Sequence, residues 1–153
     1  MADGVDEMDR KILRVLLADG GLSAKDVAAQ VGLSQPAAWR RIKRMEEAGI
    51  IRGRSIVVDR EKLGFTVVVF LGVRLAARGR LDLEAFERAV QAIPEVQIVQ
   101  HVLGVYDYRL KVVARDLSDF ERILRRRIMT LPGVGAVESN VMLTEEKPGV
   151  PMI

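Results

Sequence analysis

Several residue types are rare or missing in this sequence, and each absence excludes a class of protein. There is no cysteine, so disulfides and thiolate metal sites are excluded. There is one histidine, His101, and no Ser/His/Asp set, HExxH, P-loop or GxGxxG pattern, so no catalytic residue, metal ligand or cofactor is predicted. A strand histidine of this kind is more often structural than catalytic. The longest apolar run, Phe65–Val73, is far shorter than the roughly 20 residues of a membrane-spanning helix, so no membrane partner is expected.

What is present is typical of a folded protein with one medium or two small domains. The chain has 153 residues, of which 49% are hydrophobic and 29% charged. The N-terminal residues are acidic and lack the hydrophobic core of a secretion signal, so we expect a cytoplasmic protein. The net charge is only +3, but 18 of the 24 basic residues are arginine, which suits phosphate and guanine contacts better than lysine does.

The first 59 residues show the pattern of a helical domain. Asp6 is a plausible N-cap for a helix over 6–18, Ser23 for a short second helix, and Ser34 for a third helix that ends near Ala48. A tight glycine turn between the second and third helices predicts a helix-turn-helix over about 22–48. Strand-like sequence over 50–59 predicts a small two-stranded wing, so residues 1–59 are interpreted as a winged helix-turn-helix.

The remainder predicts a separate α+β domain of ferredoxin-like order βαββαβ. A polar linker is predicted over 60–65, the second domain over 66–147, and a tail over 148–153. Leu83, Phe86, Val90 and Ile93 mark the first helix by their spacing, and Ser118 is predicted to cap the second. The predicted strands are Thr66–Ala76, Val96–Leu103, Tyr108–Arg115 and Val134–Thr144.

The third helix carries the strongest chemical signal. If Ala38, Ile42 and Met45 face the core, the opposite face is cationic. The segment from Leu33 to Arg54 holds six basic and two acidic residues, a local charge of +4. A short capped helix flanked by cations is typical of a recognition helix that enters the DNA major groove.

Specific roles follow from position on this helix and wing. Residues near the helix N-terminus are predicted to contact bases: Gln35, Trp39 and Arg40, next to Ser34 and Pro36. Cations further along are predicted to hold phosphates: Lys43, Arg44, Arg52 and Arg54. A basic helical face can also be merely solvated, and Trp39 can instead pack on the second helix or the wing. Arg41 is expected to extend along the helix to an acidic neighbour rather than contact bases.

A second candidate site lies between the two middle strands of the predicted sheet. Gly104 permits a turn that larger residues resist, and Asp107 places a carboxylate there that could receive an ammonium group. The spacing alone favours an ordinary turn with a capping aspartate.

Six segments, in this order, resemble the Lrp/AsnC family, the leucine-responsive type of bacterial and archaeal transcriptional regulator. The resemblance spans about residues 5 to 147. The segments are VDEMDRKIL at 5–13, VGLS at 31–34, WRRIKRME at 39–46, GII at 49–51, GVYDY at 104–108 and LPGV at 131–134.

The resemblance implies a DNA-binding winged helix and a second, ACT-like domain that dimerises through its sheets, with dimers often assembling into octamers. It also implies that a small effector, usually an amino acid, binds between dimers near Gly104, Tyr106 and Asp107, with Ser139 and Asn140 on the last strand as further candidates. Many family members have a small hydroxylic residue where this chain has Leu103, so a pocket lined by Leu103 should be more apolar.

Two other functions remain open from the sequence. One is an enzyme, since siroheme decarboxylases have a similar architecture; that function requires haem-facing histidine and arginine in the second half, where His101 is the only histidine. The other is an amino-acid-binding module without DNA function, which the +4 segment disfavours. The sequence-specific regulator is the preferred interpretation.

Overall fold

A computed structural model of the chain describes residues 4–76, 80–147, 149 and 151–153, with the side chains of residues 80 and 81 excluded. Residues 1–3 of the predicted first domain and residues 148 and 150 of the predicted tail lie outside this part. The described chain divides into two compact units. One comprises the residues up to Val58 together with those from Lys147 onward, and the other comprises Asp59–Glu146.

The first unit contains three helices, whose starts match the predicted caps. They are α1 (Glu7–Ala18), α2 (Ala24–Val31) and α3 (Gln35–Glu47). Asp6 and Ser23 each form a capping box, because the side chain of the N-cap residue and that of the residue three positions on bond each other's backbone N–H. The Ser34 side chain accepts the backbone N–H of Ala37, and Gly32 ends α2 with φ +73°.

A small apolar core holds these helices together. Ile12 of α1, Val27 of α2 and Ile42 and Met45 of α3 are almost completely buried against one another. Each such side chain contributes about 1.5–3 kcal/mol to folding through removal of apolar surface from water. The prediction that Ala38, Ile42 and Met45 face inward is confirmed, and it fixes which face of α3 is left to solvent.

The wing predicted over residues 50–59 is an irregular segment in this structure. The described residues 52–59 form no strand and are exposed, with Ile56 and Val57 almost fully accessible. Ile56 and Val58 alternate with their neighbours as in a strand, but a strand requires a partner that pairs with its backbone groups. No segment of the first unit supplies such a partner within the described residues.

The second unit has the predicted βαββαβ order. Its elements are β1 (Val67–Leu75), α4 (Arg80–Gln91), β2 (Val96–His101), β3 (Tyr108–Ala114), α5 (Leu117–Ile123) and β4 (Val134–Val141). The sheet is antiparallel in the order β2-β3-β1-β4, which is the ferredoxin-like arrangement. No helix of the described chain is long and apolar enough to cross a membrane.

The two faces of this sheet differ in chemistry. On the face covered by the helices, Leu71, Tyr108 and Leu110 pack with Phe86 of α4 and Ile123 of α5 in one core. Alternate residues of β1 and β3 point to the opposite, outer face. The register pairs Phe70 with Lys111, and Gly72 with Arg109, on that outer face.

Two local predictions require correction. Asp116, not Ser118, caps α5, because the Asp116 side chain accepts the backbone N–H of Asp119 at 2.7 Å. The predicted linker over 60–65 is a hydrogen-bonded turn of the second unit: Phe65 donates its backbone N–H to the Arg60 carbonyl at 2.9 Å. A five-residue π-helical turn, Leu124–Ile128, continues α5.

Candidate DNA-binding surface and effector site

Seven of the nine residues predicted to bind DNA lie on α3 or at its N-cap. All seven are exposed: Ser34, Gln35, Pro36, Trp39, Arg40, Lys43 and Arg44. Trp39 is 51% exposed, and the Lys43 ammonium lies 4.9 Å from the centre of its ring. The tryptophan therefore leaves about half of its surface to solvent on this face, together with a cation stacked on it.

Arg40 and Arg52 differ from the other arginines of this region. Within the described residues, neither side chain has a hydrogen-bond or ion-pair partner. Both are exposed, so their guanidinium groups keep all five N–H donors available to an external anion.

Arg41 and Arg44 are instead bound by two aspartates of the first helix and its cap. Arg41 donates to Asp6 at 2.7 Å and to Asp9 at 2.9 Å, and Arg44 donates to the other oxygen of Asp9. The hydrogen bond from Arg41, with the Asp9 backbone N–H, lowers the pKa of Asp6 to about 2. The hydrogen bonds from Arg41 to Asp6 and Asp9 raise the pKa of Arg41. The prediction that Arg41 reaches an acidic neighbour is confirmed.

Arg54, predicted to hold a phosphate, has internal partners in this structure. Its guanidinium donates to the carbonyl of Leu22 at 3.0 Å and to that of Gly20 at 3.3 Å, and lies 3.8 Å from Glu46. These bonds hold the segment after α3 to the loop between α1 and α2. The guanidinium consequently has fewer free donors than those of Arg40 and Arg52.

The loop between β2 and β3, which holds the predicted effector residues, is fastened to β1. The Asp107 carboxylate accepts the backbone N–H of Leu75 at 2.8 Å, and the Asp107 N–H donates to the Val73 carbonyl at 2.9 Å. Arg74 donates to the Val105 carbonyl at 3.2 Å. Asp107 thus fastens this loop to β1.

Tyr106 lies across the outer face of the sheet. A Cβ atom built on Gly72 would be 2.7 Å from three atoms of the Tyr106 ring, so the ring occupies the space that any other residue at position 72 would fill. The Tyr106 hydroxyl donates to Glu138 on β4. This bond raises the pKa of the tyrosine and lowers that of Glu138.

Sequence reasoning missed two residues of this arrangement, Gly72 and Glu138. A single glycine within an apolar strand is a recognised sign of a close approach, and that signal was available at Gly72. No sequence signal pointed to Glu138.

The remaining effector candidates do not all share one surface. Asn140 pairs with Phe70 and Glu138 pairs with Gly72, so both lie on the outer face. Ser139 lies between them and therefore points to the helix side. Leu103 is fully exposed at the tip of the loop beside Gly104.

His101 packs against an aromatic side chain of the neighbouring strand. Its ring stacks on that of Tyr108 at 4.8 Å between centroids and 18° between planes. Burial, followed by the 2.6 Å hydrogen bond to Glu87, raises the pKa of Tyr108. The described residues contain no cluster of three or more potential metal ligands.

The fold defines a class of protein: a helix-turn-helix unit joined to a ferredoxin-like α+β unit. Sequence profiles agree, since residues 5–52 match the winged helix-turn-helix DNA-binding domain and residues 68–152 match the Lrp/AsnC ligand binding domain. The chain belongs to the Lrp/AsnC family of transcriptional regulators.

Three relatives illustrate the similarity. A proline dehydrogenase transcriptional activator from Rhodobacter capsulatus is 36% identical, covering 94% of this chain and 93% of the relative. A solved AsnC family regulator from Agrobacterium tumefaciens has a TM-score of 0.89 at 35% identity, covering 97% and 96%. A solved transcriptional regulator from Neisseria meningitidis in complex with L-methionine has a TM-score of 0.92 at 28% identity, covering 97% and 96%.

Proposed function

We propose that this regulator binds double-stranded DNA through the exposed face of α3 and the segment that follows it. Gln35, Trp39 and Arg40 contact base edges in the major groove, and Lys43, Arg44, Arg52 and Arg54 contact phosphates. The observation that supports this most is that two exposed arginines, Arg40 and Arg52, have no hydrogen-bond or ion-pair partner among the described residues. A guanidinium group without such a partner is available to bind an anion.

The regulator acts as a homodimer, and dimers assemble further. A symmetric dimer presents two α3 helices to a pseudo-palindromic site, with half-sites about one helical turn apart or a multiple of it. The irregular segment containing Ile56 and Val57 supports association, because it exposes aliphatic side chains that a single unit leaves uncovered.

An apolar amino acid modulates DNA binding by changing how dimers associate. The site proposed for it includes the loop Leu103–Asp107 and Asn140. Ser139 faces the other side of β4 and would reach the effector only from a neighbouring subunit. Leu103 and Val105 expose aliphatic surface, which favours an apolar effector side chain. The methionine bound to the Neisseria meningitidis regulator has such a side chain.

A fluorescence anisotropy titration tests DNA binding. The full chain is titrated onto DNA from upstream of its own gene and onto random DNA of equal length, at two salt concentrations. We expect tighter binding to the upstream DNA and a steep decrease in affinity with salt, because each phosphate contact contributes about 0.9 to the slope of log affinity against log salt. Weak, salt-insensitive binding to both DNAs would refute the proposal, and the amino-acid-binding module would then be the better interpretation.

Effector binding is tested by adding single amino acids to the same titration. Light scattering with the same additions tests whether they change how dimers associate. Leu103→Ser should change the response, whereas the matched variant Leu143→Ser should not, since Leu143 is another exposed leucine away from the loop. An unchanged response in Leu103→Ser would remove that side chain from the effector site.

We also propose that the chain is a regulator and not an enzyme. A purified protein without Soret absorbance would exclude the haem-dependent decarboxylase of similar architecture, whereas a coloured protein would favour it.

A further inference from the structure

Asp9 is the one charged or polar residue with a fully buried side chain in the described part of the chain. Burial of a carboxylate is costly unless its oxygens are hydrogen-bonded to cations or N–H donors. Here one oxygen accepts Arg41, and the other accepts both Arg44 and the backbone N–H of Asp6 at 3.0 Å. Apolar packing and helix capping do not by themselves require a residue that binds two arginines of α3.

Arg44 remains half-exposed while Asp9 holds it. Its side chain is 52% accessible, and the bond to Asp9 uses its Nη2 atom. A guanidinium group has five N–H donors in a rigid fork, so the others stay available to solvent. Arg44 lies one helical turn beyond Arg40, on the same side of α3.

We propose that Asp9 is a positioning residue for DNA binding, which holds the Arg44 guanidinium in the orientation that binds a backbone phosphate. Arg41 assists by fastening the same carboxylate and the cap residue Asp6 to α3. Asp9 itself does not contact DNA. This inference rests on the proposed DNA contact of α3 and adds a residue from another helix to it.

A positioning role and an effect of net charge predict opposite changes in the DNA affinity of Asp9→Asn. Asp9 places a negative charge beneath a cationic surface, so Asp9→Asn should strengthen DNA binding if only net charge matters. If Asp9 positions Arg44, the same variant should weaken binding about tenfold, as expected for the loss of one charge-assisted hydrogen bond. Random and upstream DNA should be affected alike, because phosphates carry no sequence information.

A double-mutant cycle, measured with a random-sequence duplex, tests whether Asp9 affects DNA affinity through Arg44. In an Arg44→Gln background, Asp9→Asn should change the affinity less than about twofold, because the side chain it positions is already absent. Arg44→Gln should also reduce the salt slope by about 0.9, and Asp9→Asn alone should reduce it in the same direction. A purely structural role for Asp9 would leave the salt slope unchanged.

Two further variants separate positioning from stability. Ile12→Val alters the same helix at a fully buried apolar position, so it reduces stability without changing charge and should keep the parent affinity. Arg44→Lys keeps the charge at a half-exposed site and therefore folds, but its single ammonium cannot serve both Asp9 and a phosphate with the fork geometry of arginine. It should bind less tightly than the parent.

The outcomes distinguish the two proposals. If the parent protein shows no salt-dependent DNA binding, the proposed function fails. If the parent binds and Asp9→Asn binds equally or more tightly, or Arg44→Lys matches the parent, the positioning role of Asp9 is overturned while the proposed function stands.

Discussion

Replacement of Gly72 by alanine tests the contact that holds Tyr106, in the loop between β2 and β3, against the sheet. The new Cβ would lie 2.7 Å from the Cγ, Cδ1 and Cδ2 atoms of Tyr106. These atoms include the base of the ring, so the ring as a whole must move, and its hydrogen bond to Glu138 is lost. Forced displacement in a packed site costs about 1–3 kcal/mol, so we expect the free energy of unfolding to decrease by about 2 kcal/mol.

The assay is urea unfolding followed by circular dichroism, with a double-mutant cycle as the decisive step. In a Tyr106→Ala background the space is open, so Gly72→Ala should cost less than about 0.5 kcal/mol. Gly53→Ala is the matched control, because a Cβ there meets nothing within 4 Å. If Gly72→Ala is equally costly with and without the Tyr106 ring, the contact with that ring does not cause the destabilisation.

Three further predictions concern individual polar contacts. Arg54→Ala should lower the free energy of unfolding by about 1 kcal/mol, because two carbonyls lose their donor; an unchanged urea midpoint would contradict this. Tyr108→Phe should cost about 1–2 kcal/mol by leaving Glu87 without this donor, and a neutral effect in the same assay would count against it. Asp6 has a folded-state pKa of about 2, below its unfolded value, so the stability it adds is present above about pH 4 and lost as pH falls towards 2. The difference in urea midpoint between the parent and Asp6→Asn should shrink over that range, and a difference that grows would be inconsistent with the ion pair.

The features predicted correctly from sequence depend on short-range interactions. The caps Asp6, Ser23 and Ser34 act on backbone groups three residues away, so their effect can be read locally. The inward face of α3 follows from helical periodicity in the same way. The order of strands and helices also follows from the pattern within each segment.

The features that were missed depend on residues far apart in the chain. Arg44 and Asp9 are 35 positions apart, and Tyr106 and Glu138 are 32 apart, so no local pattern joins them. The absence of strands in the described residues 52–59 has a related reason, because the alternation at Ile56 and Val58 shows strand propensity but does not supply a partner strand. The residues predicted to bind the effector do not all lie on one surface, because adjacent residues of a strand such as Ser139 and Asn140 point to opposite faces.

We propose that the exposed face of α3 recognises DNA sequence, and Arg40→Ala is the sharpest test of this proposal. The affinities of the parent, Arg40→Ala and the control Lys62→Ala are measured on the upstream DNA and on random DNA at one salt concentration. Lys62 is an exposed lysine of the second unit. We predict that Arg40→Ala weakens binding to the upstream DNA by about 1–3 kcal/mol, and binding to random DNA by less, while Lys62→Ala matches the parent. If the parent prefers the upstream DNA and Arg40→Ala binds it equally well, the assignment of the recognition face is wrong.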